Sequence, residues 1–241
     1  MLATSHDSVF LLNRGTDWTV VWNFTPDIKL SNLQGGKLGY YGEMTTTGDA
    51  VIIGVPSDAS QGVDTGAVIV FEKKDGKWPQ VGRILRGQEE NDQFGYSVAI
   101  SVFGSNFLRI LVGAPGRGYA KIYTHNSKVP GPWYSRGEMD ELGDFSPETG
   151  FGYSVDISSS GTVAVVGSPF YDGNIGKGRA YDLKDFEFAQ QLTGSATDAN
   201  AGYSVAISGD GLTSAVGLPL IGEVGVFHYS TLLKHVGKVS I

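Results

Sequence analysis

The residues able to do chemistry are few and scattered. Four histidines, His6, His125, His228 and His235, lack the H-E-x-x-H or similar spacing that aims two imidazoles at one metal. There is no Cys, which removes thiol nucleophiles, thiolate metal sites and disulfides together and leaves the redox compartment undecided. No G-x-S-x-G turn presents an activated serine. The glycine-rich run GNIGKG (173–178) lacks the Lys-Ser/Thr ending and following helix of a phosphate loop. Glu89-Glu90 and Asp140-Glu141 sit among Gly and Pro, as solvated loop faces do. On these grounds the chain is expected to be no enzyme, with no cofactor and no metal.

Binding chemistry is easier to find. Phe170, Tyr171 and Asp172 set two aromatics beside a carboxylate, a combination that grips a sugar ring or a partner's side chain. The competing reading has Phe170 and Tyr171 covering the edge of the core. Arg117 and Tyr119 form a smaller candidate pair. Asp58, Asp64, Asp172 and Asn174 offer oxygens to a cation, but their spacing matches no known cation loop. Asn23-Phe24-Thr25 is the only N-glycosylation sequon, and Pro26 follows it directly.

Composition narrows the partners. The net charge is −7, with no long Lys/Arg run, which argues against nucleic acid or an anionic membrane. Apolar residues make up 41% of the 241, enough for a sizeable core, so disorder is not expected. No stretch reaches the roughly 20 apolar residues of a transmembrane helix. The opening MLATSHDSVFLL has no basic n-region, so an exported form would be mature or partial.

The elements that must position these groups repeat. An octet recurs as FGYSVAIS from Phe94, FGYSVDIS from Phe151 and AGYSVAIS from Ala201, with a degenerate LGYYGEMT from Leu38. Its glycines, Gly39, Gly95, Gly152 and Gly202, are 56, 57 and 50 residues apart. Each octet is followed by a second signature, IIGVP, LVGAP, VVGSP or AVGLP, ending at Pro56, Pro115, Pro169 and Pro219. The Gly-to-Pro distance is 17, 20, 17 and 17. Third segments follow at GAVIVF (66–71), GYAKIY (118–123), GRAYDL (178–183) and GEVGVF (222–227). A fourth opens at Trp78, Trp133 and Phe186, with LLKHVGKV standing in the last unit.

Tyr96, Val98 and Ile100 alternate with Ser97, Ala99 and Ser101, the period-2 mark of a strand. TGDA, SVFGSN, SSSGT and SGDGL supply hairpin turns between the first two segments of each unit. No long amphipathic segment interrupts, so parallel βαβ architecture is excluded. Four strands every 50-odd residues predict an all-β propeller, or part of one, of four-stranded antiparallel blades.

The paired signatures resemble the FG-GAP repeat of integrin α-subunit propellers, in register four times across residues 38–241. The resemblance implies that Phe94-Gly95 and Phe151-Gly152 open innermost strands. It also implies that the prolines end the next strands at an upper rim where ligand loops lie. Gly39, Gly95, Gly152, Gly202 and the four prolines are then structural punctuation. Calcium-binding members carry a D-x-D-x-D-G loop between the first two strands. Here those turns hold only Asp49 and Asp210, so the metal-free type of repeat is expected.

The expected organisation is a single domain over 1–241, with blades at 38–85, 94–140, 151–193 and 201–241. A half blade at 7–24 has Phe10 at a third-strand position and Trp18 at a fourth. Eighteen strands result, and two explanations stay open: a piece of a longer propeller, or five blades with the first incomplete. The expected function is a non-catalytic interaction, adhesion or structural module of a larger assembly. Its setting, by the resemblance, is extracellular or lumenal. A carbohydrate-binding propeller is the alternative, and an enzyme with a rim pocket ranks behind it. A protein partner is expected, with glycan second.

Overall fold

The computed structural model describes residues 2–5, 8–14, 18–23, 41–129, 131–140, 146–184, 187–228 and 235–240. The repeat segments form strands because each is rich in β-branched and aromatic residues and bounded by Gly or Pro turns. In chain order the first sheet comprises β1 (Leu2–Ser5), β2 (Ser8–Arg14) and β3 (Trp18–Asn23). The second holds β4 (Tyr41–Met44), β5 (Ala50–Val55), β6 (Ala67–Glu72) and β7 (Leu85–Arg86). The third holds β8 (Ser97–Phe103), β9 (Phe107–Ala114), β10 (Tyr119–Asn126) and β11 (Tyr134–Asp140). The fourth holds β12 (Ser154–Ile157), β13 (Val163–Ser168), β14 (Lys177–Asp182) and β15 (Glu187–Thr193). The fifth holds β16 (Ser204–Ile207), β17 (Thr213–Leu218), β18 (Glu223–His228) and β19 (His235–Ser240). All pairings within these sheets are antiparallel between chain neighbours, and among the described residues helix is confined to single turns.

The sheets stack face to face in chain order, blade upon blade, through their first strands. Alternate residues of one strand serve different interfaces. In β5, Val51, Ile53 and Val55 pack with Trp22 of the first sheet, while Ala50 and Ile52 pack with Val98 and Ile110 of the third. In β13, Ala164 and Val166 meet the third sheet and Val165 meets the fifth. Both faces of the inner sheets are therefore dry, which is why these strands lack a polar face. The last sheet differs. Ser214, Val216 and Leu218 of β17 are buried against the fourth sheet, while Thr213, Ala215 and Gly217 on the other face are only half-buried.

Glycine fixes the spacing between blades. Gly54, Gly113 and Gly167, from the second signature, lie against the carbonyl oxygens of Gly95, Gly152 and Gly202 in the following sheet, where any Cβ would collide. Gly95, Gly152 and Gly202 have φ of 90°, 88° and 89°, a region that side chains rarely enter. The octet phenylalanines, Phe94 and Phe151, are fully buried between their own blade, where they meet Tyr119, Tyr123 and Tyr181, and the preceding one, and Ala201 takes that place in the last unit.

Several boundaries differ from expectation. The first strands of the repeats begin two residues after the octet glycine, because Gly and Tyr form a turn first. In the third repeat, the third strand begins at Lys177 rather than Gly178. Gly176, at φ 71°, takes the left-handed position that Gly66, Gly118 and Gly222 take elsewhere. Trp78 is buried but opens no strand: isolated bridges hold 71–80, and β7 has only two residues. The N-terminal region has three strands, since Leu2–Ser5 pairs with β2, giving nineteen strands among the described residues. Gly39, Phe186 and the start of the last expected strand segment lie outside the described residues, and so does all of the sequon beyond Asn23.

Candidate functional site

Three of the octets deliver their tyrosine to the same end of the stack. The amides of Tyr96, Tyr153 and Tyr203 donate to the carbonyls of Gln93, Gly150 and Asn200, at 3.0, 3.0 and 3.1 Å. With a glycine near φ 90° just before each, the three tyrosines leave their blades in equivalent directions. They meet as a file of rings. Tyr41 lies 5.9 Å from Tyr96, Tyr96 5.0 Å from Tyr153, and Tyr153 4.9 Å from Tyr203, each pair tilted by 46–47°. Phe170, from the loop after Pro169, closes edge-on against Tyr153 at 5.5 Å.

This arc is open to solvent at its ends: Tyr41 is 44% exposed, Tyr203 47% and Phe170 39%. Tilted rings at these separations stabilise one another by about 0.5–1.5 kcal/mol per pair, so the arc is a firm surface rather than loose side chains. Burial raises the pKa of the Tyr153 hydroxyl. Its hydrogen bond with Tyr203 adds to that rise, and the one with Tyr96 opposes it. The Tyr153 phenol is therefore neutral at physiological pH, and the arc offers apolar ring faces edged by hydroxyl groups.

The loop beside the arc is shaped by its own strain. Asp172 and Gly173 adopt φ of 48° and 64° in the short helical turn Tyr171–Asn174. Asp172 is thereby exposed, while Tyr171 turns back so that Lys177 Nζ sits 3.1 Å from its ring centre. Burial, and then the charge of Arg179, push the Lys177 ammonium down to about 8. A cation over a ring face is favoured electrostatically, and here it anchors the loop.

The expected site residues thus divide. Phe170 joins the arc and Asp172 is exposed in the turn that follows, whereas Tyr171 is taken up by Lys177. Tyr119 does not face the rim: it is 2% exposed, and its hydroxyl donates to Asp92 Oδ2 at 2.7 Å. Arg117 pairs with Glu89 and approaches Asp92 at 4.0 Å. Both belong to a polar clamp between the second and third sheets, in which buried Asp92 also accepts the amides of Gln88 and Glu89. Asp58 is buried with Ser60 and Arg86 and is not brought to Asp172 or Asn174. Asp210 accepts from the Leu212 amide at 2.9 Å within its hairpin turn. The arc tyrosines were missed in the sequence because a tyrosine inside a repeated strand signature looks like core. The signal that could have found them is their recurrence at the first-strand entrance of each unit.

No family model matches the chain, and no curated protein matches it. Solved structures share its fold. One is a Bacteroides fragilis protein named a "putative 6-phosphogluconolactonase", with 9% identity and TM-score 0.61, over 99% of this chain and 68% of that one. Another is the complex of KlAtg21 with the coiled coil of AgAtg16, with 10% identity and TM-score 0.63, over 99% of this chain and 64% of that one. The chain thus spans about two thirds of these neighbours. At such identities the likeness concerns fold, and many chemistries share a fold. It does correct one expectation. Absent motifs and scattered histidines led to a non-enzyme, yet a protein of this fold carries an enzyme's name, so that exclusion falls.

Proposed function

We propose that the chain is a β-propeller of FG-GAP type, or a run of blades from one, that recognises a protein partner with the rim bearing the tyrosine arc. The observation that carries this reading is the file Tyr41–Tyr96–Tyr153–Tyr203 with Phe170 beside it, half open to solvent at one end of the stack. Aromatic residues are enriched where protein surfaces bind, because they bury large area with few rotatable bonds. The neighbour solved with a coiled coil is in keeping with a protein partner for this fold. The FG-GAP assignment rests on the paired octet and Gly-x-Pro signatures, and an extracellular or lumenal setting rests on that assignment.

A second reading is a glycan ligand, favoured by ring faces edged with hydroxyls. One experiment separates the two. The intact chain and its Tyr96→Ala/Tyr203→Ala variant are compared by affinity capture with cross-linking, and by glycan array. Capture of a discrete protein, lost in the variant, supports the protein reading. Array binding lost in the variant, with no protein captured, replaces it with the glycan reading. Capture unaffected by the substitutions overturns the arc as the site.

A further inference from the structure

Below the tyrosines, the innermost strands carry a second, unlike feature. The sixth octet position is small in two strands, Ala99 in β8 and Ala206 in β16, but acidic in the other two, Glu43 in β4 and Asp156 in β12. Each carboxylate reaches the next blade. Glu43 Oε2 accepts the Ile100 amide at 3.0 Å, and Asp156 Oδ2 accepts the Ile207 amide at 2.7 Å. Asp156 Oδ1 also accepts the Ile157 amide at 2.8 Å. The two acids line one cavity of about 180 Å³, together with Ser101, Ser159 and Thr46. No Lys, Arg or His is among the residues lining it.

Two half-buried carboxylates facing one pocket are costly without a counter-charge. Burial, and then the charge of Asp156, push the Glu43 carboxyl up to about 8, and burial raises Asp156 despite its amide donors. A separate observation concerns Ser101. It is 3% exposed, lies on the same strand face as Ala99, and its Oγ has no hydrogen-bond partner. Arg109, across the strand pair from Ser101, has its guanidinium over the Phe103 ring and donates to the Gly161 carbonyl.

We propose that this cavity holds a hydrated divalent cation of the calcium class, bridged by Glu43 and Asp156 and joined by the Ser101 hydroxyl. Hard cations take several oxygen ligands, mixing carboxylates, neutral oxygens and water. At roughly 30 Å³ per water, the space accommodates the ion with part of its hydration shell. The site lies on the innermost strands, away from the hairpin turns in which Asp49 and Asp210 stand alone. It would tie the second, third, fourth and fifth sheets together, because each acid also binds the backbone of the blade that follows it.

The test uses the intact chain at pH 8, with thermal unfolding in calcium against chelator and terbium luminescence sensitised by tyrosine and tryptophan. Calcium at millimolar concentration is expected to raise Tm by at least about 2 °C. That shift, and calcium-displaceable terbium emission, should vanish in Glu43→Gln and Asp156→Asn and weaken in Ser101→Ala. Circular dichroism verifies that each variant is folded, and neutral isosteres remove repulsion rather than packing. Equal calcium responses in wild type and both acid variants would overturn the site. So would no response in wild type.

Discussion

The hydroxyl of Ser97 donates to the carbonyl oxygen of Gly152 across 2.7 Å, joining the first strand of one blade to the octet glycine of the next. Ser154 repeats the bond to Gly202 at 2.8 Å. Ser204 is the next in the series, but it is exposed, and no such bond is present for it among the described residues. The repeated serine is thus a joint between neighbouring blades, made in two places and idle in a third.

Ser97→Ala and Ser154→Ala should each lower stability by about 1 kcal/mol, the net worth of one hydrogen bond of this kind. Ser204→Ala should change it by less than about 0.5 kcal/mol, as exposed substitutions do. Denaturant unfolding of the three variants checks the ranking. Equal losses at all three positions would dissolve the joint.

The glycines facing these carbonyls make a companion series. Gly113→Ala and Gly167→Ala drive a Cβ into the Gly152 and Gly202 oxygens and should cost at least ~1–3 kcal/mol, since backbone on both sides must shift. At Gly217 the nearest atom is the Ser204 side chain, which can turn away, so Gly217→Ala should be milder. Comparing unfolding midpoints decides the matter.

Tyr119 and Tyr203 should separate structure from recognition. Tyr119→Phe removes the donor to buried Asp92 and should cost ~1–3 kcal/mol, leaving partner capture intact in the folded protein. Tyr203→Ala should weaken capture while its thermal midpoint moves little, because the ring is half exposed. A reversed pattern would place recognition at the blade clamp.

Glu43 sets a pH dependence. Its carboxyl is raised from 4.5 to about 8, so the folded state holds a proton that the unfolded chain releases at lower pH. The stability it contributes is complete below pH 4.5 and is lost as pH rises towards 8. In chelator, Glu43→Gln should flatten that decline in unfolding free energy. A wild-type profile that rises over the same window, with no difference in the variant, would contradict the shift.

Much of the fold was legible because the pattern is written four times. The octets, the Gly-x-Pro endings and the hairpin turns place β4, β5, β8, β9, β12, β13, β16 and β17 to within a few residues. The failures are local. Gly176 and Gly178 look alike in the sequence, and only contact with Ala201 in the next blade selects Gly176 for the positive φ. Trp78 has the aromatic that marks a fourth strand elsewhere, but it is drawn into the core beside Trp22 and Phe71 instead.

By itself the sequence determined the repeat, its strand period and its turns, because these depend on residues close together in the chain. Which aromatics face water and which fill the core was decided only when blades met. Tyr119 and Tyr153 both look like strand tyrosines, yet one is sealed beneath Asp92 and the other lies in an open arc. Glu43 and Asp156 are more than a hundred residues apart, and nothing local joins them. Stacking brings them to one cavity, where their shared shortage of water gives them their chemistry.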